Sequence, residues 1–319
     1  GIGQPLAMFS IFGVFPPERR GMALGIYGLV SVLAPTIGPI LGGIAIDTMS
    51  WRYLFFMPLP LCLPAFMLGL IFMPGKKLAK KLPPFDWIGM VLVCFILFST
   101  LSGLANGPRW GWSSDTIVLR LLAGAVALVV FILWELRASY PLLDLSLFQN
   151  RQFSLTMIAS FVFGAGMFSS SYFIPVFVQV IQHYSPTQAG FLLAPSGLVM
   201  MLFFPLAGRI TDSVPAHVPI AVGLLVFSIG FFLTQAVDVN TTFWALVAYT
   251  AINRVGLSLA IPSLSAAALR AVPAHKLARG ASSSTFFRDL GGGFGIALLT
   301  AFFEHRTQFH GQAFTATQT

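Results

Sequence analysis

The chain has 319 residues, 56% of them hydrophobic and only 9% charged, against roughly 25% charged in an ordinary soluble domain. A water-facing surface of normal polarity cannot be built from that composition, so a soluble globular domain is excluded. The net charge of +8 requires no nucleic-acid partner, because the basic residues collect in alternate loops, as a membrane topology demands.

The apolar residues come in blocks. Residues 1–15 form the first, which stops at "PPERRG". No charged segment or small-residue cleavage site precedes it, so it does not read as a signal peptide. With Gly1 at its start, the chain is expected to begin inside a helix. Complete blocks follow at about 22–46, 52–73, 87–106, 116–136, 153–181, 188–208, 218–237, 243–268 and 281–303. Each is near or above the ~20 residues that cross a bilayer core as a helix. Backbone groups in lipid must be satisfied internally, and these blocks lack the alternation of barrel strands. The expected fold is all-α: a polytopic membrane bundle with about ten transmembrane helices, counting the incomplete first one.

Arginine and lysine give the orientation. Arg19, Arg20, Lys76, Lys77, Lys80, Lys81, Arg137, Arg151, Arg209, Arg270, Lys276 and Arg279 fall on one side, and Arg52, Arg109, Arg120 and Arg306 on the other. The side with twelve is predicted to be cytoplasmic. Trp51, Trp87, Trp110, Trp112, Trp134 and Trp244 all sit at block ends, where an interfacial belt places them.

Within the 22–46 block, "APTIGPILGG" carries prolines and glycines that a helix in water tolerates poorly. Ala34, Gly38 and Gly42 are spaced i, i+4, i+8, so they are expected to form one small-residue strip on which two membrane helices close. Pro35 and Pro39 each remove a backbone hydrogen bond, which a membrane bundle can make up from neighbours. The stretch "PPERRGMALGIYG" before it and "GGGFGIALL" near the end belong to two similar Gly-rich segments, each with a basic turn ending Arg-Gly. Internal repeats of this kind are the usual build of secondary transporters.

These residues resemble the major facilitator superfamily. "APTIGPILGG" is similar to the antiporter motif on the fifth helix of its drug exporters, with Ala34 in place of the first glycine. "WRYLFFMPLP", "FDWIG", "WELRASYPLLDLSLFQNRQF", "PTQAGFLLAPSGLV", "PLAGRITD" and "FFRDLGGGFGIAL" extend the resemblance to the fourteen-helix drug:proton antiporters of the EmrB/QacA type. The resemblance implies a fragment that starts within the fourth helix and stops after the thirteenth. It divides the chain into the end of an N-terminal bundle (1–73), a cytoplasmic linker with two extra central helices (74–136), a C-terminal bundle (137–303) and an extracytoplasmic loop (304–319).

Site residues follow from both lines of reasoning. The antiporter motif comprises Ala34, Pro35, Gly38, Pro39, Gly42 and Gly43, and the strip is expected to seal the path between the halves. Arg254 lies mid-block, where an arginine costs roughly 2.5–3.5 kcal/mol on insertion scales and must face a cavity or a partner. Arg288, Asp289 and Gln179 are the other polar candidates for a proton or substrate pathway; Arg288 and Asp289 are adjacent on a helix and are expected to point apart. Glu135 and Asp144 read as interfacial. Gly208, Arg209 and Asp212 in "GRITD" resemble the superfamily's loop motif, which implies a cytoplasmic gate.

No GxxxxGK[ST] loop is present, and "GGGFG" lies inside an apolar helix, where it reads as a packing feature and not a dinucleotide fingerprint. Cys62, Cys94, His305 and His310 have no metal-ligand spacing. No cofactor, metal or enzymatic activity is expected. The resemblance implies proton-coupled efflux of hydrophobic or amphiphilic small molecules by alternating access, in a bacterial cytoplasmic (inner) membrane. Its partners would be drugs or metabolites, protons and the bilayer, with a periplasmic adaptor and outer-membrane channel as in EmrB-type relatives. Two readings stay open beside it: a narrow exporter of one metabolite, lipid or siderophore, and a non-transporting membrane scaffold.

Overall fold

The computed structural model describes residues 20–72 and 84–316. The first apolar block and the basic loop holding Lys76, Lys77, Lys80 and Lys81 lie outside them. The described residues form ten α-helices: α1 Arg20–Thr48, α2 Tyr53–Phe56, α3 Leu59–Phe72, α4 Trp87–Trp110, α5 Asp115–Glu135, α6 Arg151–Val180, α7 Pro186–Ser213, α8 His217–Leu233, α9 Phe243–Arg270 and α10 Leu277–Ala316. Nine spans, with α2 and α3 counted together, are long and apolar enough to cross a membrane. They coincide with the nine complete apolar blocks.

Two elements differ from expectation. The 52–73 block breaks between Phe56 and Leu59. Pro58 cannot donate to a preceding turn, and its carbonyl accepts from Leu61 and Cys62 as the next helix starts. At the other end, α10 runs on to Ala316, so most of 304–319, expected as a loop, is helical.

Several threonine hydroxyls inside the helices are satisfied locally. Thr36, Thr100, Thr156, Thr211 and Thr250 each donate to the carbonyl four residues back, which removes the cost of an orphan polar group in lipid. The outward side chains are apolar: Leu61 and Leu202 are 76% and 77% exposed, and α3 buries nothing. Hydrocarbon is the solvent that fits them.

The chain divides into two compact units. One joins the residues up to Lys81 with Ser171–Ala267; the other joins Leu82–Ser170 with Ala268–Thr319. In the first unit α1 packs on α7 and α8 packs on α9. In the second α4 pairs with α5, and α6 and α4 both meet α10.

Helix direction tests the membrane reading. Consecutive spans must alternate, so an odd and an even span run antiparallel and two odd spans run parallel. Gly28 meets Phe204 and Gly43 meets Pro186, so α1 (first span) and α7 (sixth) are antiparallel. On α6 the Phe161 backbone meets Gly291, and Ala165 meets Gly295; α6 (fifth) and α10 (ninth) are therefore parallel. Gly223 meets Ala260 and Gly230 meets Asn253, so α8 and α9 are antiparallel. Each sense is the one alternation requires.

Candidate functional site

The antiporter-motif helix is continuous through Pro35 and Pro39, and it does close tightly on a neighbour, but not through the predicted strip. Ala34 and Gly38 are exposed, a Cβ at Gly38 would meet nothing within 4 Å, and one at Gly42 would touch only Leu54 at 3.5 Å. The buried line is Gly28, Val32, Thr36 and Gly43. At 100° per residue, Thr36 lies about 200° from Ala34, so the contact falls on the far side of the helix from the expected strip.

Two crossings on this seam are backbone against backbone. A Cβ on Gly43 would stand 2.8 Å from Thr187 Cα, and one on Gly190 would stand 2.8 Å from the Pro39 carbonyl carbon and 3.0 Å from Ile40 Cα. Farther along, Gly197 faces the Thr36 side chain and Gly28 faces the Phe204 ring. At the end of the seam the Thr187 amide donates to Asp47 Oδ2 at 2.8 Å. The start of α7 is fixed there by a capping box, with Ser185 accepting from the Gln188 amide and the Gln188 side chain accepting from the Ser185 amide. Of the six motif residues, Pro39 and Gly43 therefore serve the seam. Pro35 is exposed with Ala34 and Gly38.

The second unit contains an equivalent seam, which the glycine-rich "GGGFG" stretch supplies. Gly291 lies against the Phe161 backbone, Gly295 against Ala165, and Gly164 of α6 against the Arg288 carbonyl. As expected, the stretch is a packing device.

Arg254 sits in the middle of α9, half-buried, and pairs with no described carboxylate. Its neighbour Asn253 is buried against Gly230 with its side-chain Nδ2 unpartnered. Arg288 and Asp289, expected to diverge, approach instead: Arg288 Nε is 3.4 Å from Asp289 Oδ1, too misaligned for a hydrogen bond. Arginine is long enough to curl back along the helix onto its neighbour. Gln179 donates to the Pro175 carbonyl in its own helix at 3.2 Å, so its polar group is satisfied within α6. Gly208, Arg209 and Asp212 lie on the last turns of α7, with Arg209 and Asp212 exposed. Pathway candidates and gate candidates are thus spread over α6, α7, α9 and α10.

The acids read as interfacial are at helix ends, and both are buried. Asp144 is 6% exposed and accepts from Ser146, from Arg279 at 2.8 Å, and pairs with Lys276 at 2.9 Å. Burial pushes its carboxyl up, but the bonds from Ser146, Arg279 and Lys276 and the Lys276 charge outweigh that and hold it well below the usual carboxylate range. This latch ties the 3-10 turn Leu145–Gln149 to the start of α10. Glu135 is 4% exposed and lies beside Asp86, a partner a whole helical hairpin away that the sequence did not suggest. Among the described residues there is no cluster of metal-ligating side chains.

Comparison with known proteins agrees with this architecture. The Major Facilitator Superfamily profile matches residues 1–296. The uncharacterized MFS-type transporter YcnB of Bacillus subtilis is 31% identical over 94% of this chain and 64% of its own length. The multidrug export protein EmrB of Haemophilus influenzae is 28% identical over 96% of this chain and 60% of its own length. The lincomycin resistance protein LmrB of Listeria monocytogenes is 25% identical over 92% of this chain and 62% of its own length. The chain thus spans about three-fifths of the length of these relatives. With nine candidate spans among the described residues and a family match over nearly its whole length, the chain is a multi-pass membrane protein belonging to the Major Facilitator Superfamily of transporters.

Proposed function

We propose that the protein of which this chain is a part exports hydrophobic or amphiphilic small molecules in exchange for protons, by alternating access, in a bacterial inner membrane. The observation that carries the reading is Arg254. A guanidinium in the middle of a membrane helix, with no carboxylate partner among the described residues, is costly and is retained where a substrate, a proton path or a changing partner uses it. Relatives named as multidrug exporters and an antibiotic-resistance protein support the substrate class. The exposed Phe and Met side chains, soft and adaptable, suit varied apolar cargo. Proton entry supplies about 2.3 kcal/mol per charge per 100 mV. The α1–α7 seam is the contact on which the N-terminal part (1–73) and the C-terminal bundle (137–303) rock, the α6–α10 seam holds the C-terminal bundle together, and the central pair in 74–136 is an accessory. Gly208, Arg209 and Asp212 form the cytoplasmic gate, and a periplasmic adaptor with an outer-membrane channel receives the cargo.

The test is efflux of several chemically unrelated dyes from cells expressing the full-length protein and its Arg254→Met variant. Export of unrelated dyes by the parent and its loss in the variant, at equal membrane abundance, are expected. Efflux of one compound alone would establish a narrow exporter, and parental efflux by Arg254→Met would remove Arg254 from the pathway.

A further inference from the structure

The two ends of the α4–α5 hairpin meet at a pair of carboxylates. Asp86 caps α4: its Oδ1 accepts from the Gly89 amide at 2.8 Å and from the Trp134 indole at 2.9 Å. Glu135 is the last residue of α5, and its Oε2 accepts from the Leu143 amide at 3.3 Å, drawing the following connector back over the helix end. One oxygen of each acid is therefore supplied with N–H donors. The other oxygen of each, Asp86 Oδ2 and Glu135 Oε1, is buried and has no partner.

Those two orphans converge. Both crowd the space above Gly89 Cα, where a Cβ would stand 2.9 Å from Glu135 Oε1 and closer still to Asp86 Oδ2. Glycine leaves that space open. The buried Glu135 carboxylate and the half-buried Asp86 carboxylate, facing each other through buried oxygens, cannot both stay ionised without cost, whereas a single proton between them satisfies both orphan oxygens. Among the described residues no cation on the facing elements offsets the charge. Arg137 on the connector is exposed, Lys276 and Arg279 of α10 are engaged on Asp144, and Arg288 lies against Asp289.

We propose that Glu135 and Asp86 form a proton-binding site in which the Glu135 carboxyl carries a proton on Oε1 and donates it to Asp86 Oδ2. The proton comes from and returns to the aqueous phase, with no other bond made or broken. Bound, it clasps α4, α5 and the connector together. As pH rises and the proton leaves, two facing carboxylates repel and the open end of the hairpin loosens. The site lies at the hairpin's end, on elements other than the Arg254 helix, and does not depend on what the protein transports.

Infrared spectra of the full-length protein in lipid vesicles test the assignment. A protonated-carboxyl band is expected at neutral pH. It should vanish in Glu135→Gln, and also in Asp86→Asn, whose amide can donate to an ionised Glu135. Thermal melting from about pH 5 to about pH 9 gives the second readout. The parent should lose stability as pH rises, while Glu135→Gln, whose amide can replace the proton, should keep the low-pH stability with a flattened profile. Gly89→Ala should weaken the clasp at low pH while keeping both acids. Absence of the band from the parent at neutral pH, its persistence in both acid variants, or a Glu135→Gln profile parallel to the parent overturns the proposal. So does stability that follows sodium or calcium concentration and not pH, which would make the site a cation site.

Discussion

Gly38 and Gly190 are both glycines in membrane helices, and only Gly190 is held by its surroundings. A side chain at Gly190 runs into the backbone of Pro39 and Ile40, which cannot rotate away, while one at Gly38 enters open space among the described residues. Gly190→Val is expected to force α1 and α7 apart at a cost of roughly 1–3 kcal/mol or more, read as a lower melting temperature and loss of efflux. Gly43→Val, against the Pro186 and Thr187 backbone, should do the same. Gly38→Val should leave the α1–α7 contact intact, and a comparable melting loss in that variant would show that a further helix covers the strip in the full-length protein. Asp144 gives a pH prediction at the same scale. Its folded-state acidity is stronger than its ordinary value, so its contribution is present above the ordinary carboxylate range and is lost only as pH falls through the lower folded value. Asp144→Asn should therefore destabilise by a constant amount between about pH 5 and about pH 8, and the gap should close only in strong acid. A gap that shrinks already near pH 6 would mean that the latch is weaker than its geometry suggests.

At the scale of the element, the hydropathy pattern located nine spans but not the side on which the 22–46 helix meets its neighbour. The blocks were legible because a bilayer crossing needs about 20 apolar residues wherever it falls in the fold. That face was not, because Ala34-Gly38-Gly42 and Gly28-Val32-Thr36 both repeat every four residues along one side of the helix, and no local term says which side a partner will use. The motif was visible in the sequence; its seam depends on Gly190 and Gly197, more than a hundred residues downstream. The same limit hid the pairing of Glu135 with Asp86, which local pattern cannot reach across a hairpin. The α6–α10 seam was easier, since three consecutive glycines in "GGGFG" have little reason to occur in a lipid-facing helix except close approach. Gly291→Leu should consequently disrupt the second unit, because its side chain would meet the Phe161 backbone, whereas Gly293→Leu should be milder, since a Cβ there meets only Leu101 side-chain atoms at 3.5 and 3.8 Å. Comparable losses in both variants would show that helix propensity and not the seam controls the result.

At the scale of the whole molecule, the parallel and antiparallel senses of the packed helices and the distribution of lysine and arginine are independent facts that lead to one topology. Helix sense follows from backbone crossings; it would hold for either orientation in the membrane. Charge alone decides which end is cytoplasmic. The ion pairs fit this division, with Asp144, Lys276 and Arg279 together beside the start of α10 and Arg109, at the end of α4, 2.7 Å from Glu304, more than six turns further along α10. Cysteine labelling separates the two orientations. Cys62 and Cys94 are exposed and would first be replaced by serine. A membrane-impermeant maleimide added outside intact cells should then label a cysteine at Ser113 or Val239, both exposed, and should not label one at Lys80 or Ala274. Ser113 is preferable to the nearby Gly111, whose φ of +85° would strain a side chain. Labelling at Lys80 and Ala274 with protection of Ser113 and Val239 would invert the protein in the membrane while leaving every helix contact in place, and the twelve-to-four charge bias would then have failed as a topological signal here.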